Sequence, residues 1–227
     1  FLILSFLIGI SLFLGSALQQ VALLYTDVAN AAFFTIFYVP MVPIIIFLFR
    51  KKSIHWSVWP SVVLCLLGGY LLTNFQDATV RLGDTLVVLG ALFWSTHIIF
   101  TGIIVTKYNL PLTIGAIQTL LVSLFSFLIG SIYEDFIYEN ILKELNSILY
   151  AGILSGGFAF VLQIYAQKNI SPAPAAIIFS LEGVFATIAA WYLLNQILDI
   201  NNIAGCFFIL CGVLLSQLLP LFKNKYS

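Results

Sequence analysis

Charge is what this sequence has least of. Only 8% of its 227 residues are Asp, Glu, Lys or Arg, while 62% are hydrophobic. A soluble domain averages about 45–50% apolar and about 25% charged residues. So few charges cannot cover a water-facing surface, and the solvent of this chain must be lipid. The formal net charge is zero, and no basic face exists to meet a nucleic acid. Histidine is limited to His55 and His97, so no His-rich metal site can be built. His55 reads as interfacial beside Trp56 and Trp59. Cysteine is scarce too: Cys65, Cys206 and Cys211 are odd in number and lack metal-ligand spacing, so they read as small packing residues. No Gly-Lys-Ser/Thr phosphate loop occurs, which excludes an ATPase within the chain. No initiator Met or basic segment opens the sequence, and Phe1–Leu24 is too long for the apolar core of a signal peptide. The chain therefore reads as a fragment or a processed product.

What is present is a series of long uncharged runs. They cover residues 1–26, 28–49, 53–76, 85–106, 108–133, 145–167 and 200–222. Each exceeds the roughly 20 residues that cross about 30 Å of hydrocarbon as a helix. An eighth run, 169–198, contains one charge, Glu182. Lipid admits only helices or closed barrels as spanning structures, and runs this long exclude the short alternating strands of a barrel. The fold expected is all-α and membrane-embedded, with spans at 1–25, 29–49, 55–74, 83–106, 111–132, 147–167, 173–194 and 199–220. Ser171-Pro172 and Asn109-Leu110-Pro111 have the chemistry of helix starts. Gly83-Asp84 puts a carboxylate at the positive end of a helix dipole. The polar, acidic stretch 134–146 reads as a short surface helix, with Glu139 and Lys143 one turn apart.

An internal repeat relates residue n to n+143. Gln20 meets Gln163, Ala32 meets Ala175, Ile45 meets Ile188 and Gly69 meets Gly212. Spans one to three fall on spans six to eight. The step is five helices, an odd number, so the second copy enters the membrane from the opposite side. Inverted repeats of this kind are common in secondary transporters. Spans four and five have no first-copy partner, and the arithmetic expects two further helices before Phe1, making ten spans as five plus five. Residues 1–74 would then be the last three helices of the first repeat, and 83–220 the complete second repeat. Loop charges orient the chain. One side holds Arg50, Lys51, Lys52, Lys107, Lys168, Lys223 and Lys225; the other holds Arg81 and Lys143. The positive-inside rule puts the first side, and the C-terminus, in the cytoplasm.

Glu182 stands out chemically. An ionised carboxylate at mid-bilayer costs about 2.5–3.5 kcal/mol on insertion scales. A carboxyl neutral in one conformation and ionised in another could carry a proton through a cycle; a hydrogen-bonded carboxyl joining helices is the plainer alternative. His97, with Trp94 at i−3 and Thr101 at i+4, puts polar and aromatic groups on one helix face. That face could line a cavity or pack as core. Gln20 and Gln163 are repeat partners, with Gln19 and Gln167 beside them, and Tyr38, Asn30, Thr35 and Gln118 are further polar candidates. Pro40 and Pro43 interrupt the second span, and proline frees carbonyls and kinks helices. Pro40 falls on Gly183 under the repeat offset, so both copies carry a helix-weakening residue there. No Lys or Arg lies deep in any span, which disfavours strongly anionic substrates.

The stretch from Gln163 through Gln167-Lys168, Ser171-Pro172 and Ala175-Ala176 to Ser180-Leu181-Glu182-Gly183 resembles the EamA-like transporter family of the drug/metabolite transporter superfamily. So do Tyr25-Thr26 with Ala29-Asn30-Ala31-Ala32, and Gly83-Asp84 followed by Ala91-Leu92-Phe93-Trp94. The resemblance covers essentially the whole chain, beginning at the family's third helix. It implies ten helices in two inverted halves and export or exchange of small metabolites. The chain departs from the family in having Glu182-Gly183 for Glu-Pro and Asn195-Gln196 for Gly-Glu.

The function expected is secondary active transport of a small neutral, zwitterionic or cationic metabolite by alternating access. Glu182, His97, Trp94, Thr101, Gln163, Tyr38 and Gln20 are the expected substrate- or proton-binding residues, with Pro40, Pro43 and Gly183 as hinges. The expected partners are a small-molecule substrate, a coupling proton, the bilayer and a second copy in a homodimer, with no nucleic acid and no cofactor. The expected location is a bacterial inner membrane. A passive channel would need a continuous polar pore, and a scaffold would bind no ligand. Ser155-Gly156 with His97 could be drawn as a hydrolase pair, but no spacing supports it, so the chain does not read as an enzyme.

Overall fold

The runs of apolar residues fold as helices because only internal hydrogen bonds can satisfy a backbone in lipid. The computed structural model describes residues 1–51, 53–73 and 81–223. Among them lie α1 (Leu2–Ala22), α2 (Val28–Thr35), α3 (Tyr38–Arg50), α4 (Val58–Leu72), α5 (Leu82–Tyr108) and α6 (Pro111–Tyr133). Two short surface helices follow, α7 (Tyr138–Lys143) and α8 (Leu145–Leu149), then a π-helical stretch (Tyr150–Ala159) running into α9 (Phe160–Gln167). The chain closes with α10 (Pro172–Phe179), α11 (Leu181–Leu194) and α12 (Ile200–Lys223). No strand occurs among the described residues. The protein is an all-α membrane protein.

Seven helical segments are long and apolar enough to cross a bilayer, against eight expected. The difference is α4, an apolar helix of 15 residues. Residue 74, the expected end of that span, lies outside the described residues, as do Lys52 and Lys225 of the orientation argument.

Two of the seven spans are kinked. Pro40 has no N–H, and its ring clashes with the carbonyl four residues back, at Ile36. The first segment accordingly stops at Thr35 and restarts at Tyr38. Between them Ile36 and Phe37 donate to the carbonyls of Phe33 and Phe34, each at 3.2 Å, the tighter spacing of a 3₁₀ turn. Pro43 remains inside α3. The second kink separates α10 from α11 at Ser180 and contains no proline. There the Ser180 hydroxyl donates to the Ile177 carbonyl at 2.6 Å, and Gly183 N–H donates to the Ser180 carbonyl at 3.2 Å. A serine that bonds the preceding turn bends a helix.

Helix α5 is the central element. Of its most apolar stretch 56% is buried, against 6% for the span Leu145–Gln167. Helix α5 packs along α1 and touches α2, α3, α9 and α10. Val39, Val42, Ile98, Ile99 and Ile177 join α3, α5 and α10 in one apolar core. A second core, around Ile8, Ile104, Ile114 and Ile164, ties α1, α5, α6 and α9. Helix α4 lies against α12 so closely that a Cβ on Gly68 would sit 2.7 Å from the Gly205 carbonyl oxygen. Helix ends follow local chemistry. Asn109 and Asn195 close α5 and α11 in the left-handed conformation, at φ 54° and 53°, which asparagine tolerates better than most residues. Pro111 and Pro172 open α6 and α10. Ser171 takes the position before α10, but its hydroxyl makes no capping bond there.

Candidate functional site

The two kinked segments bound a cavity of about 1120 Å³. Tyr38 is the first residue of α3 and Glu182 the second of α11, so each follows directly on a kink. Both line the cavity. Glu182 is open to it rather than sealed in packing, and it sits at the dipole-positive start of its half-helix. The Tyr38 hydroxyl lies within electrostatic range of the Glu182 carboxyl. That hydroxyl is buried, and the Glu182 carboxyl is the polar group it faces. No Lys or Arg is among the residues that line the cavity.

Helix α5 supplies the aromatic wall. Trp94 stacks on Phe160 of α9, with ring centroids 6.1 Å apart and planes 6° from parallel. The indole N–H donates to Gln19 Oε1 at 3.3 Å, and Gln19 Nε2 donates to the Thr35 hydroxyl at 3.2 Å. Gln19 thus ties α1 to α5 and α2 across the cavity's edge. Gln163, one turn beyond Phe160 on α9, completes this side.

The other expected residues lie elsewhere. His97 is fully buried behind the aromatic wall, edge-on to Trp94 at 6.2 Å and to Phe160 at 5.9 Å. Its Nε2 is 3.1 Å from Gln118 Oε1 on α6. Thr101 is fully buried one turn further along α5, with no hydrogen-bond partner for its hydroxyl. Neither touches the cavity. Gln20 faces outward, and its neighbour Gln19 holds the cavity position instead. Of the expected hinges, Gly183 lines the cavity, while Pro40 and Pro43 stand on α3 without lining it. Phe160, Phe179 and Phe185 also line the cavity. The sequence reading did not single them out, although Phe160 is i−3 to Gln163 and shares its helix face.

The sequence model of the EamA-like transporter family matches residues 81–218. The chain belongs to this family. It is similar to an uncharacterized transporter of Archaeoglobus fulgidus, 32% identical over 219 residues, which cover 94% of this chain and 68% of the relative. The uncharacterized transporter YoaV of Bacillus subtilis is 26% identical over 146 residues, 62% of this chain and 48% of its own. A WAT1-related protein of Arabidopsis thaliana is 25% identical over 141 residues, 60% of this chain and 37% of its own. The chain thus spans from about a third to about two thirds of these relatives' lengths. A solved crystal structure, 12% identical, superposes with a TM-score of 0.75 over 98% of this chain and 89% of that one, which shows the shared fold alone. This EamA-like protein is an integral, multi-pass membrane transporter.

Proposed function

We propose that this EamA-like protein is a secondary active transporter, an exporter or exchanger that moves a small neutral, zwitterionic or cationic metabolite by alternating access. Glu182 is the central binding group, for substrate or for a coupling proton. The observation that carries the reading is the position of this carboxylate: it opens into a cavity between two kinked spans, next to the kink of its own span.

Two halves related by inversion, 1–74 and 83–220, would supply the rocking bodies. The kinks support this division. The first lies at residues 36–37 and the second at 180, so the same 143-residue offset that aligns the sequences aligns Phe37 with Ser180. Helices α4 and α12, which the offset also pairs, pack directly on each other. Tyr38, Trp94, Gln163 and Gln19 would shape the cavity around the substrate, and Pro40 and Gly183 would weaken the half-helix junctions that move. His97 and Thr101 would act from behind the aromatic wall. The C-terminus would face the cytoplasm.

The test is flux in proteoliposomes under an imposed pH gradient. The reading expects saturable uptake and counterflow of a candidate metabolite, and loss of the response to the gradient in Glu182→Gln. Unchanged gradient-driven flux in that variant would remove Glu182 from coupling. Linear, unsaturable conductance would replace the carrier with a channel.

A further inference from the structure

The hydrogen-bonding inventory of the cavity narrows the substrate class. Besides Tyr38, four hydroxyls line it, and each spends its proton on its own helix. Thr35 donates to the Ala31 carbonyl at 2.7 Å, Thr73 to Gly69 at 3.0 Å, Ser180 to Ile177 at 2.6 Å and Thr187 to Gly183 at 2.8 Å. The Trp94 N–H is committed to Gln19, and Gln19 in turn donates to Thr35. What remains for a ligand among the described residues is the Gln163 amide, the second N–H of Gln19, and the Glu182 carboxylate with the Tyr38 hydroxyl that faces it. The carboxylate makes no ion pair among the described residues, and in its ionised form it can only accept hydrogen bonds.

The rest of the lining is largely apolar. Five aromatic rings face the cavity: Tyr38, Trp94, Phe160, Phe179 and Phe185. Aromatic faces carry negative potential and attract cations. One acid and several π faces, with no Lys or Arg among the described lining residues, make a site of negative potential. A substrate carboxylate would find only uncharged donors there, on Gln163, Gln19 and Tyr38, and an acid of the same sign beside them. A substrate ammonium group would meet the acid with its own N–H donors, and a flat apolar body would lie along the Trp94–Phe160 stack. The volume, about 1120 Å³, admits a small molecule with room to spare, since ligand pockets run to about 300–1,000 Å³.

We infer that the substrate is an organic cation, a protonated amine carrying a flat apolar group, with its ammonium on Glu182 and its body against the aromatic wall. This assignment rests on the cavity being the transport site, as proposed above. A zwitterion or an anion of the same body is a poorer ligand because no Lys or Arg among the described lining residues neutralises its carboxylate.

Four probes of one shape separate the classes: phenethylamine, phenylalanine, phenylacetate and 2-phenylethanol, titrated calorimetrically into the purified protein. The expected order puts phenethylamine at least about tenfold tighter than the neutral alcohol, with the zwitterion and the anion weaker still. Glu182→Gln should bring the amine down to the affinity of the alcohol and leave the alcohol unchanged, whereas Glu182→Asp keeps the preference for the amine. Phenylalanine or phenylacetate binding as tightly as phenethylamine would overturn the cation assignment and leave the cavity reading standing. Failure of all four to bind a protein with a cooperative thermal transition would overturn both. The wild-type ranking decides the matter even where Glu182→Gln does not fold.

Discussion

Asp84 and Glu182 are both carboxylates inside an apolar bundle, and they are handled in opposite ways. Asp84 is 1% exposed. It accepts a hydrogen bond from the Arg81 backbone N–H at 2.8 Å and another from the Thr26 hydroxyl, so it holds the start of α5 to the turn between α1 and α2. Glu182 is left open to the cavity. Burying a polar group is costly unless it is hydrogen-bonded, so the first residue belongs to the architecture, whereas the second faces the space that a ligand would fill under the proposed function. Asp84→Ala would leave a buried hydroxyl and a part-buried N–H without their acceptor, a loss of about 1–3 kcal/mol, read as a lower midpoint of thermal unfolding in detergent. Asp84→Asn keeps one acceptor oxygen and should lose less. Both carboxylates were legible in the sequence, Asp84 as a helix start beside Gly83 and Glu182 as the lone charge of its span. Which of two adjacent glutamines faces the cavity was not. Successive residues on a helix differ by about 100° in direction, and the packing of α1 on α5 and α2 turns Gln19 inward and Gln20 outward.

At the level of elements, composition exposed the spans but only part of their internal geometry. Pro40 marked the kink between α2 and α3, displaced by the reach of its ring to the carbonyl of Ile36. The Ser180 kink has no proline to announce it and depends on a serine hydroxyl bonding the preceding turn. The π-helical pattern over Tyr150–Ala159 left no mark either, because it is a choice among backbone bonding partners rather than of residue type. Close approach of helices is better encoded. On α12, a Cβ at Gly205 would lie 2.7 Å from the Gly68 carbonyl oxygen and 3.0 Å from the Leu72 nitrogen. Those are backbone atoms of the facing helix, and they cannot swing aside as a side chain would. Gly205→Ala should therefore separate α4 from α12 and destabilise by about 1–3 kcal/mol, the usual result of overpacking. Gly152 is the control, because nothing lies within 4 Å of a Cβ placed there. Gly152→Ala, in an exposed helical stretch, should stabilise by about 0.5–1 kcal/mol. The two thermal shifts, of opposite sign, separate a packing effect from the general preference of helices for alanine.

For the whole molecule the open choice is which end faces the cytoplasm. Helices α1 and α5 run antiparallel: the Phe1 and Tyr108 rings meet edge-on with centroids 5.2 Å apart, and the Arg81–Asp27 ion pair ties the opposite ends. The end that carries Tyr108 carries Lys107, and helix alternation with α4 counted as a crossing would bring Arg50, Lys51 and Lys168 to the same side. Arg81 and Lys143 fall at the other side. Two inverted halves would look much alike from either face of a membrane, so shape alone would choose weakly between orientations. The choice then falls to the excess of Lys and Arg in the loops, which directs the richer side to the cytoplasm. Single cysteines at Lys107 and Glu139, introduced after replacing Cys65, Cys206 and Cys211, report the outcome in intact cells. A membrane-impermeant maleimide should label position 139 and spare position 107 until the cells are opened. Labelling of 107 alone would reverse the orientation. Labelling of both would mean that the charge excess fails to choose, and replacing Lys51 and Lys168 with glutamine should then leave the ratio of the two signals unchanged. If the excess does choose, the same replacements should raise labelling at position 107, because they erode the bias that holds that end inside.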